Sequence, residues 1–358
     1  MKRSSISKNI KRIIYFYPTI SSFIQKDINI FSSHYQLVHL PFGVKVKYYP
    51  FEFLIQLKCF LVNLNRNTII VCRFAGFHTI LPVIVGKLFS IKVNIILGGT
   101  ECHKFPSINY GAYLRYFYSL AIKISLRNAS LLLPVHQSLM DCKYDYDSSG
   151  APRQGCKVFC ENLNTPFVVI NNGYDGNSFY YTGTPRVANS FISVANNYNG
   201  GEYFRKGTDL IIEIAKQLSH CSFTLIGNVN WRKDDLPSNL IILSAVPNTE
   251  LKEYYSKHEF YLQLSLAEGF PNALCEGMLC GCIPIGANTF GIPEIIDDTG
   301  FILREKSVQL LIKLINQALI SDKQRLSQKA RNRILENYTI ERRSLELIKI
   351  LENQFQII

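Results

Sequence analysis

The segment SLAEGFPNALCEGMLCG, residues 265–281, decides the fold of this chain. An apolar run ends just before it, glycine and proline follow within a few residues, and apolar side chains then return as far as Gly281. Proline is favourable in the first turn of a helix, where its missing amide hydrogen costs nothing. The segment therefore predicts a strand, a loop, a helix that starts near Pro271 and runs to Gly281, and a further strand at Cys282–Ile285.

The same alternation of short apolar runs and longer amphipathic stretches extends along the whole chain and is typical of parallel βαβ units. In the first half, strands are predicted at Lys11–Tyr17, Gln36–Leu40, Thr68–Arg73, Lys92–Leu97, Leu131–Val135 and Phe167–Ile170. In the second half, they are predicted at Ser190–Ala195, Ser222–Ile226, Leu240–Leu243, Phe260–Leu264, Cys282–Ile285 and Gly300–Leu303. The pattern indicates an α/β protein built from doubly wound sheets.

A length of 358 residues suits two such domains better than one. Turn-forming residues are concentrated at 171–186, so the predicted boundary falls there. The expected organisation is an N-terminal Rossmann-like domain at 1–180, a C-terminal Rossmann-like domain at 181–340 and a final helix at 341–358. The polar stretch 141–155 is predicted to be a loop.

The excess of positive over negative charge lies entirely in the first half of the chain. Residues 1–180 hold 20 Lys and Arg against 8 Asp and Glu, whereas residues 181–358 hold 19 of each kind. An aromatic run with interleaved basic residues, 110–118, lies in the same half. Such a surface fits anionic membranes or phosphate-bearing substrates, or it is an ordinary solvated surface with core aromatics. No nucleic-acid recognition motif accompanies the charge, so nucleic acid is not an expected partner.

No stretch reaches the roughly 18 apolar residues that a transmembrane helix needs, because Lys87 and Lys92 interrupt the best candidate, 80–97. The basic N-terminus precedes only a short apolar run that Pro18 ends, which makes a poor signal peptide. The expected location is the cytoplasm, with peripheral contact to the inner face of a membrane left open.

The chemistry of the 265–281 segment lies in Glu268 and Glu276. Glu268 is predicted at the carboxyl end of a strand, and Glu276 on the helix that follows. The amides at a helix start form an anion site that suits a diphosphate, and two carboxylates beyond it can accept hydrogen bonds from sugar and ribose hydroxyls. This arrangement of groups suits a sugar nucleotide.

Several motifs together resemble the C-terminal domain of family 4 glycosyltransferases, a large retaining group with the GT-B fold of two facing Rossmann-like domains. The motifs are the 268–281 segment, Ile283-Pro-Ile, Gly291-Ile-Pro-Glu-Ile-Ile, Thr299-Gly-Phe, Phe204-Arg-Lys-Gly-Thr-Asp209 and Val169-Ile-Asn-Asn-Gly-Tyr-Asp175. The resemblance covers roughly residues 165–345 and implies a donor site in the second domain and an acceptor site in the first.

The resemblance implies roles for individual residues. Glu268 would contact the transferred sugar as the catalytic residue, Glu276 would bind the ribose, and Arg205 and Lys206 would hold the diphosphate. Arg and Lys at the opening of a helix after Asn199-Gly-Gly would suit that task in their own right. The remaining donor-binding candidates are Gly227, Gly269, Phe270, Pro271 and Asn272.

On the acceptor side the chain departs from the family. Many members carry His-Gly where this chain has Gly98-Gly99, so a His that assists at the sugar is missing there. The candidates for the acceptor cleft are Gly98 and Gly99, whose backbone can approach a ligand closely at the end of a strand, and Glu101 and His103. Glu101 would either orient an acceptor hydroxyl or cap the next helix, and His103 would be either a site residue or a structural one. Asn196 and Asn197 also stand near the position of a family Arg.

No metal site or bound cofactor is predicted. The cysteines fall in apolar segments, no second pair with zinc spacing accompanies Cys156 and Cys160, and Asp145-Tyr-Asp147 lies in a polar loop without a leading strand. Fixed cations and helix-start amides can neutralise a departing diphosphate without a metal.

These patterns favour an enzyme that moves a hexose-type unit from a nucleoside diphosphate sugar to a hydroxyl of a glycan or lipid-linked acceptor, in surface polysaccharide assembly, with retained configuration. Two alternatives remain open from the sequence: a non-catalytic sugar-nucleotide-binding subunit, and a GT-B sugar-nucleotide epimerase.

Overall fold

The computed structural model describes residues 11–43, 45–231 and 236–357. In its first half, the strands are β1 Arg12–Tyr17, β2 Gln36–Pro41, β3 Thr68–Arg73, β4 Val93–Leu97, β5 Leu131–Pro134, β6 Cys142–Lys143 and β7 Arg153–Gln154. The helices there are α1 Ser22–His34, α2 Tyr49–Asn63, α3 Ile80–Leu88, α4 Tyr116–Asn128 and α5 Cys156–Phe159.

The second half holds β8 Val187–Asn197, β9 Ser222–Asn228, β10 Leu240–Leu243, β11 His258–Gln263, β12 Ile283–Ala287 and β13 Phe301–Leu303. Its helices are α6 Gly201–Arg205, α7 Thr208–Gln217, α8 Leu251–Lys257, α9 Asn272–Leu279, α10 Ile292–Ile296, α11 Val308–Leu319, α12 Lys323–Asn337 and α13 Ile340–Ile357. Among the described residues, no helix combines the length and the apolar character needed to cross a membrane.

Two parallel sheets confirm the predicted α/β fold with two Rossmann-like domains. The first sheet has the order β2-β1-β3-β4-β5 and the second the order β10-β9-β8-β11-β12-β13. Strands such as β3 and β4 are buried along their whole length, as expected when helices cover both faces of a sheet. In both sheets the strand order reverses beside the first strand, β1 or β8, and ligands of such folds bind at that point.

Two of the predicted elements were wrong. Residues 167–170 run beside β5 but form only one isolated bridge, Leu132 with Phe167, because Pro134 in β5 has no amide hydrogen to continue the ladder. The stretch 141–155, predicted to be a loop, contains the β6–β7 hairpin, whose base is joined by an ion pair between Arg153 and Asp141.

The last helix, α13, leaves the second half and packs on the first sheet. Its Arg343 donates two hydrogen bonds to Asp27 of α1, at 2.8 and 3.0 Å, and Arg73 of β3 contacts the same carboxylate at 3.2 Å. All three side chains are buried. Removing one member of such a cluster would leave a buried charge without its partner, at a cost of about 3–5 kcal/mol. The cluster therefore joins the end of the chain firmly to its beginning.

Candidate active site

A large cleft lies between the two domains, at the carboxyl ends of their strands. It has a volume of about 550 Å³. The first domain contributes the β1–α1 connection, residues 20–23, and the second contributes the ends of β8, β9 and β11 and the start of α9. Of the candidate residues, the cleft is lined by Lys206, Glu268, Pro271, Asn272 and Glu276. Five of the residues that the sequence assigned to a donor site thus meet in one cavity.

Glu268 is held by two cations. Its Oε1 lies 2.5 Å from Nζ of Lys206 and 3.1 Å from Nη1 of Arg205. Arg205 also donates to the carbonyl oxygen of Ala267 at 2.7 Å and to the carboxylate of Glu202 at 2.5 and 2.8 Å. The guanidinium is therefore fixed in orientation, while the ammonium of Lys206 lines the cleft. Glu202 was not found from the sequence; its spacing three residues before Arg205 is the signal that was available.

The charges around Glu268 decide its protonation. Burial raises the pKa of this carboxyl, but Lys206 and Arg205 outweigh burial and lower the pKa to about 2. Burial and the neighbouring Arg205 lower the pKa of Lys206, and Glu268 opposes that shift. Since its pKa is so low, Glu268 is ionised at neutral pH and serves as a hydrogen-bond acceptor and a fixed negative charge, not as a proton donor.

Arg205 and Lys206 were predicted to open a helix, but in the structure they close one. Arg205 is the last residue of α6, and Lys206 follows it. Gly207, with φ of +70°, then turns the chain into α7, and a side chain there would lie 2.5 Å from the carbonyl oxygen of Leu264. The two cations therefore stand at the junction of α6 and α7, directly before the amino end of the second helix.

Pro271 precedes α9 as its capping residue, one position earlier than predicted, and the helix ends at Leu279 instead of Gly281. Glu276, in the second turn of α9, lines the cleft. Burial raises the pKa of Glu276, while Lys26 of α1 lowers it. The positive charge of Lys26, in the first domain, thus acts on a carboxyl of the second domain. The Nζ atom of Lys26 also donates a hydrogen bond to the carbonyl oxygen of Gly173 at 3.0 Å. Nothing in the local sequence of α1 signals that contact, because it depends on how the domains meet.

Asn272 has partners from the segment that connects the domains. Its Oδ1 accepts hydrogen bonds from the hydroxyl of Tyr174 at 2.8 Å and from Nδ2 of Asn172 at 3.3 Å. The side chain of Phe270, by contrast, does not line the cleft. Its ring packs against Tyr338 at 5.0 Å and Tyr174 at 6.2 Å, so its position favours a role in packing over the predicted role in donor binding.

Gly227 follows the carboxyl end of the apolar part of β9. A side chain there would lie 2.3 Å from the carbonyl oxygen of Ala195, so β8 and β9 approach closely beside the cleft. Its neighbour Ile226 lines the cavity, and so do Val246 and Asn248, which the sequence did not single out.

The two domains touch at glycines on either side of the cleft. A side chain on Gly269 would lie 2.2 Å from the carbonyl oxygen of Gly98, and one on Gly99 would lie 3.7 Å from the amide nitrogen of Gly269. Only glycine at 269 allows this backbone approach. The predicted acceptor-side turn thus packs directly against the loop that carries Glu268.

Glu101 caps this turn. Its carboxylate accepts hydrogen bonds from the amides of Gly98 at 2.7 Å and Gly99 at 3.1 Å. Burial raises its pKa, and these amides and Arg73 oppose the shift. Of the two roles left open by the sequence, the observed contacts match capping, although the cap closes the glycine turn and not a following α-helix.

His103 is fully buried, and neither ring nitrogen has a hydrogen-bond partner. Its ring lies 4.3 Å from that of Phe290 and about 6 Å from those of Phe105 and Tyr110. Burial first, and then Arg205, lower its pKa to about 3, with Glu268 opposing. The imidazole is therefore neutral at physiological pH, and the charges of Arg205 and Glu268 influence its pKa.

The cleft side of the first domain also supplies His136, which the sequence did not identify. It follows β5, and its Nε2 lies 2.9 Å from a carboxylate oxygen of Glu294 in the second domain. Glu294 belongs to the Gly-Ile-Pro-Glu motif, so this motif contacts the opposite domain. The Asp-Tyr-Asp stretch has other partners, since Asp147 accepts from Tyr144 at 2.7 Å and Asp145 pairs with Lys143.

Solved structures with the same architecture define the fold as GT-B. A sucrose-phosphate synthase from Thermosynechococcus elongatus is similar with a TM-score of 0.71 and 13% identity, over 97% of this chain and 100% of that one. A glycosyltransferase from Rickettsia africae gives a TM-score of 0.68 at 15% identity, over 96% and 98%. HepE of Anabaena, solved in complex with UDP and glucose, gives 0.65 at 15% identity, over 96% and 100%.

Within that fold, residues 201–335 match the family described as Glycosyl transferases group 1. The match lies within the second domain and agrees with the predicted class of enzyme, a glycosyltransferase. A curated relative, one of the subunits of the phosphatidylinositol N-acetylglucosaminyltransferase of Arabidopsis thaliana, is 26% identical over 87 residues. That alignment spans 24% of this chain and only 20% of the relative.

Proposed function

We propose that this chain is a retaining glycosyltransferase that moves a hexose-type unit from a nucleoside diphosphate sugar to a hydroxyl of a glycan or lipid-linked acceptor, in the assembly of a surface polysaccharide. The observation that carries the proposal is the charge cluster of Lys206, Arg205 and Glu268 in the interdomain cleft, with Glu276 further along the same wall. We further propose that the protein works on the cytoplasmic side of a membrane, in peripheral contact with it.

The donor diphosphate would lie against Lys206 and Arg205. Both cations contact Glu268, and Arg205 also contacts Glu202, so a diphosphate would share the cations and free the Glu268 carboxylate to accept hydrogen bonds from the sugar. Glu276, which is buried and also lines the cleft, would accept hydrogen bonds from the ribose hydroxyls. This division gives each charged group one part of a sugar nucleotide. The fixed cations supply charge neutralisation, so the proposal requires no metal.

The transfer step follows from the protonation states. The bond between the anomeric carbon and the diphosphate oxygen breaks, and the acceptor hydroxyl oxygen forms the new bond on the same face. Glu268, with a pKa of about 2, is a weak base, and His103, with a pKa of about 3, is buried among aromatic rings. The departing diphosphate therefore takes the proton of the acceptor hydroxyl, and Glu268 stabilises the positive charge that develops on the sugar ring.

The names of similar proteins support the choice of substrates. The Anabaena structure contains UDP and glucose, which supports a uridine diphosphate hexose as donor. The Arabidopsis relative is named for transfer to phosphatidylinositol, which supports an acceptor attached to a lipid.

Donor binding can be tested first, before transfer is assayed. A thermal-shift screen against UDP-, GDP-, ADP- and dTDP-sugars should show selective stabilisation by one nucleotide. Lys206→Ala should abolish that shift, while Lys216→Ala, an exposed lysine at the end of α7, serves as the matched control. Absence of any shift, or a shift that Lys206→Ala leaves intact, would contradict the donor site.

The product distinguishes the proposal from its rivals. Proton NMR of the new anomeric centre should show the configuration of the donor; inversion would contradict retention. Conversion of the sugar nucleotide without any acceptor would identify an epimerase. Selective donor binding without turnover on glycan and lipid-linked acceptors would identify a non-catalytic subunit.

A further inference from the structure

The outer layer of the first domain exposes an unusual number of apolar side chains. This layer consists of α2, α3 and α4, where α2 packs on α3 and α3 on α4. The connections from β2 to β3, β3 to β4 and β4 to β5 run in one direction across the sheet, so right-handed crossovers place all three helices on the same face. We call this layer the α2–α4 face.

On α2, apolar residues cover the outward side as well as the buried one. Phe51, Leu54 and Leu61 are 64%, 63% and 81% exposed, and their spacing of three and seven residues places them along one stripe. Cys59 and Phe60 are buried on the inward side. The exposed apolar residues of the neighbouring helices continue the stripe: Ile84, Leu88 and Phe89 at α3, and Tyr116, Phe117, Leu120 and Ile124 on α4. This number of exposed apolar side chains on three neighbouring helices favours an interaction site.

A groove of about 520 Å³ between α2 and α3 opens onto this face. Most of its lining is apolar, from Leu57, Phe60, Leu61, Leu64, Val85, Phe89 and Ile91. Arg66 and Asn65 stand in the same lining and supply its polar groups. An apolar channel with a guanidinium in its wall fits an amphiphile, with its hydrocarbon chain inside and its acidic group at the arginine.

The charged residues of the α2–α4 face are almost all basic. The segments 45–66, 80–92 and 115–128 contain a single acidic residue, Glu52. Their basic residues are Lys45, Lys47, Lys58, Arg66, Lys87, Lys92, Arg115, Lys123 and Arg127. A second copy of this chain would present the same positive surface and be repelled, whereas anionic lipid headgroups complement it.

We propose that the α2–α4 face docks on an anionic lipid bilayer, with the apolar stripe entering the acyl region and the groove between α2 and α3 accepting one lipid chain. The basic residues attract the anionic headgroups, and the apolar stripe adds burial of hydrocarbon. This inference rests on the membrane contact included in the proposed function and gives that contact a defined surface.

The orientation would bring the bilayer to the cleft. The exposed Tyr116 and Phe117 begin α4, and Tyr48 and Phe51 begin α2. Phe77, just after β3, connects the two starts through ring contacts with Tyr49 at 5.3 Å and Tyr118 at 5.5 Å. Since helices that follow parallel strands begin at the carboxyl edge of the sheet, these aromatics lie on the cleft side of the face. A lipid-linked acceptor could pass from there into the cleft.

Co-sedimentation of the full chain with vesicles tests this surface. Vesicles of phosphatidylcholine alone are compared with vesicles that contain phosphatidylglycerol as a third of the lipid, at low and high salt. The apolar variant combines Phe51→Ser, Leu54→Ser and Leu61→Ser, and its matched control combines Ile320→Ser, Leu345→Ser and Leu310→Ser, which are exposed outside this face. A charge variant combines Lys58→Glu and Lys87→Glu.

The native chain and the control should bind the anionic vesicles and release them at high salt, and the apolar variant should bind on the order of tenfold more weakly. The charge variant should lose the preference for anionic lipid. Equal binding by the apolar variant and its control would overturn the proposal, as would indifference to lipid charge. So would dimerisation in light scattering that the apolar variant abolishes, without vesicle binding. Thermal shift by the sugar nucleotide should be the same in all variants, so failure here and failure of the donor site are distinguishable.

Discussion

The two walls of the interdomain cleft are held together by different interactions, ion pairs on one side and capping and aromatic packing on the other. On the wall proposed to bind the donor, Glu268 is held by Lys206 and Arg205 within 3.1 Å, and Lys206 and Glu268 line the cleft. On the opposite wall, the Gly98-Gly99 turn is closed by Glu101, and His103 is packed among aromatic rings without a partner for either nitrogen. The donor wall therefore has its binding groups in place, whereas the acceptor wall near this turn is organised for packing.

Glu268→Gln tests the wall proposed to bind the donor. Glu268→Gln keeps the shape of the side chain but removes the charge that faces the sugar, so we expect the transfer rate to fall by roughly 10²- to 10³-fold, as for the loss of one electrostatic stabiliser in an active site. Steady-state transfer with the selected donor measures this. Glu294→Gln, a half-exposed carboxylate in the same domain, is the control and should lose far less. A rate for Glu268→Gln within threefold of the native rate would refute the assignment.

The contact between the walls can be disturbed by Gly269→Ala. The new methyl group would meet the carbonyl oxygen of Gly98 at 2.2 Å, and backbone must move to accept it. We expect transfer to fall by about tenfold or more and the free energy of unfolding to fall by about 1–3 kcal/mol.

Gly43→Ala is the matched control for this change, because the added methyl group would meet only the carboxylate of Glu52, at the end of a flexible side chain. Chemical denaturation and transfer assays on both variants decide the matter. If both glycines tolerate alanine equally, the close approach of the two walls has no importance.

The ionisation of Glu268 makes stability depend on pH in a defined window. Its pKa in the folded chain is about 2, below the ordinary value of 4.5, so the folded state binds fewer protons than the unfolded one. The resulting stabilisation is complete above pH 4.5 and is lost as pH falls towards 2. Between pH 5 and pH 3 the native chain should lose about 2 kcal/mol more than Glu268→Gln. Denaturant titrations at the two pH values measure the difference, and equal losses would show that Glu268 is not held ionised by its neighbours.

The smallest effect is expected on the acceptor wall. His103→Leu removes two buried nitrogens without partners at nearly constant volume, so the free energy of unfolding should rise by about 1 kcal/mol. Transfer should stay within about threefold of the native rate. Unchanged stability together with a large loss of transfer at intact donor binding would instead assign the imidazole to the acceptor, and would make the two walls more alike than we describe.

Local patterns in the sequence predicted much of the fold. The strand that begins at Thr68 and ends at Arg73 was predicted to the residue, because six consecutive buried positions leave little choice. The strand at Leu240–Leu243 was also predicted to the residue, from four consecutive aliphatic side chains. Errors arose where local chemistry overrode the pattern, as where Pro134 interrupts the ladder with residues 167–170.

The candidate donor residues could be grouped from the sequence because their motifs are contiguous. Glu268, Pro271, Asn272 and Glu276 belong to one loop and helix, whose geometry follows from hydrogen bonding within a few residues. Their meeting with Lys206, more than sixty residues earlier, was implied by resemblance and not by any local rule. The domain boundary near residues 171–186 stays a prediction.

What no local pattern contained was the relation between distant segments. The sequence determined that parallel strands and amphipathic helices form, because period and turn chemistry act over a few residues. Only the tertiary structure decided that Arg343 reaches Asp27, that Lys26 senses Glu276, that His136 meets Glu294, and that His103 is buried without a partner. These contacts join residues that are far apart in the chain, and their existence depends on how the two sheets and the last helix pack together.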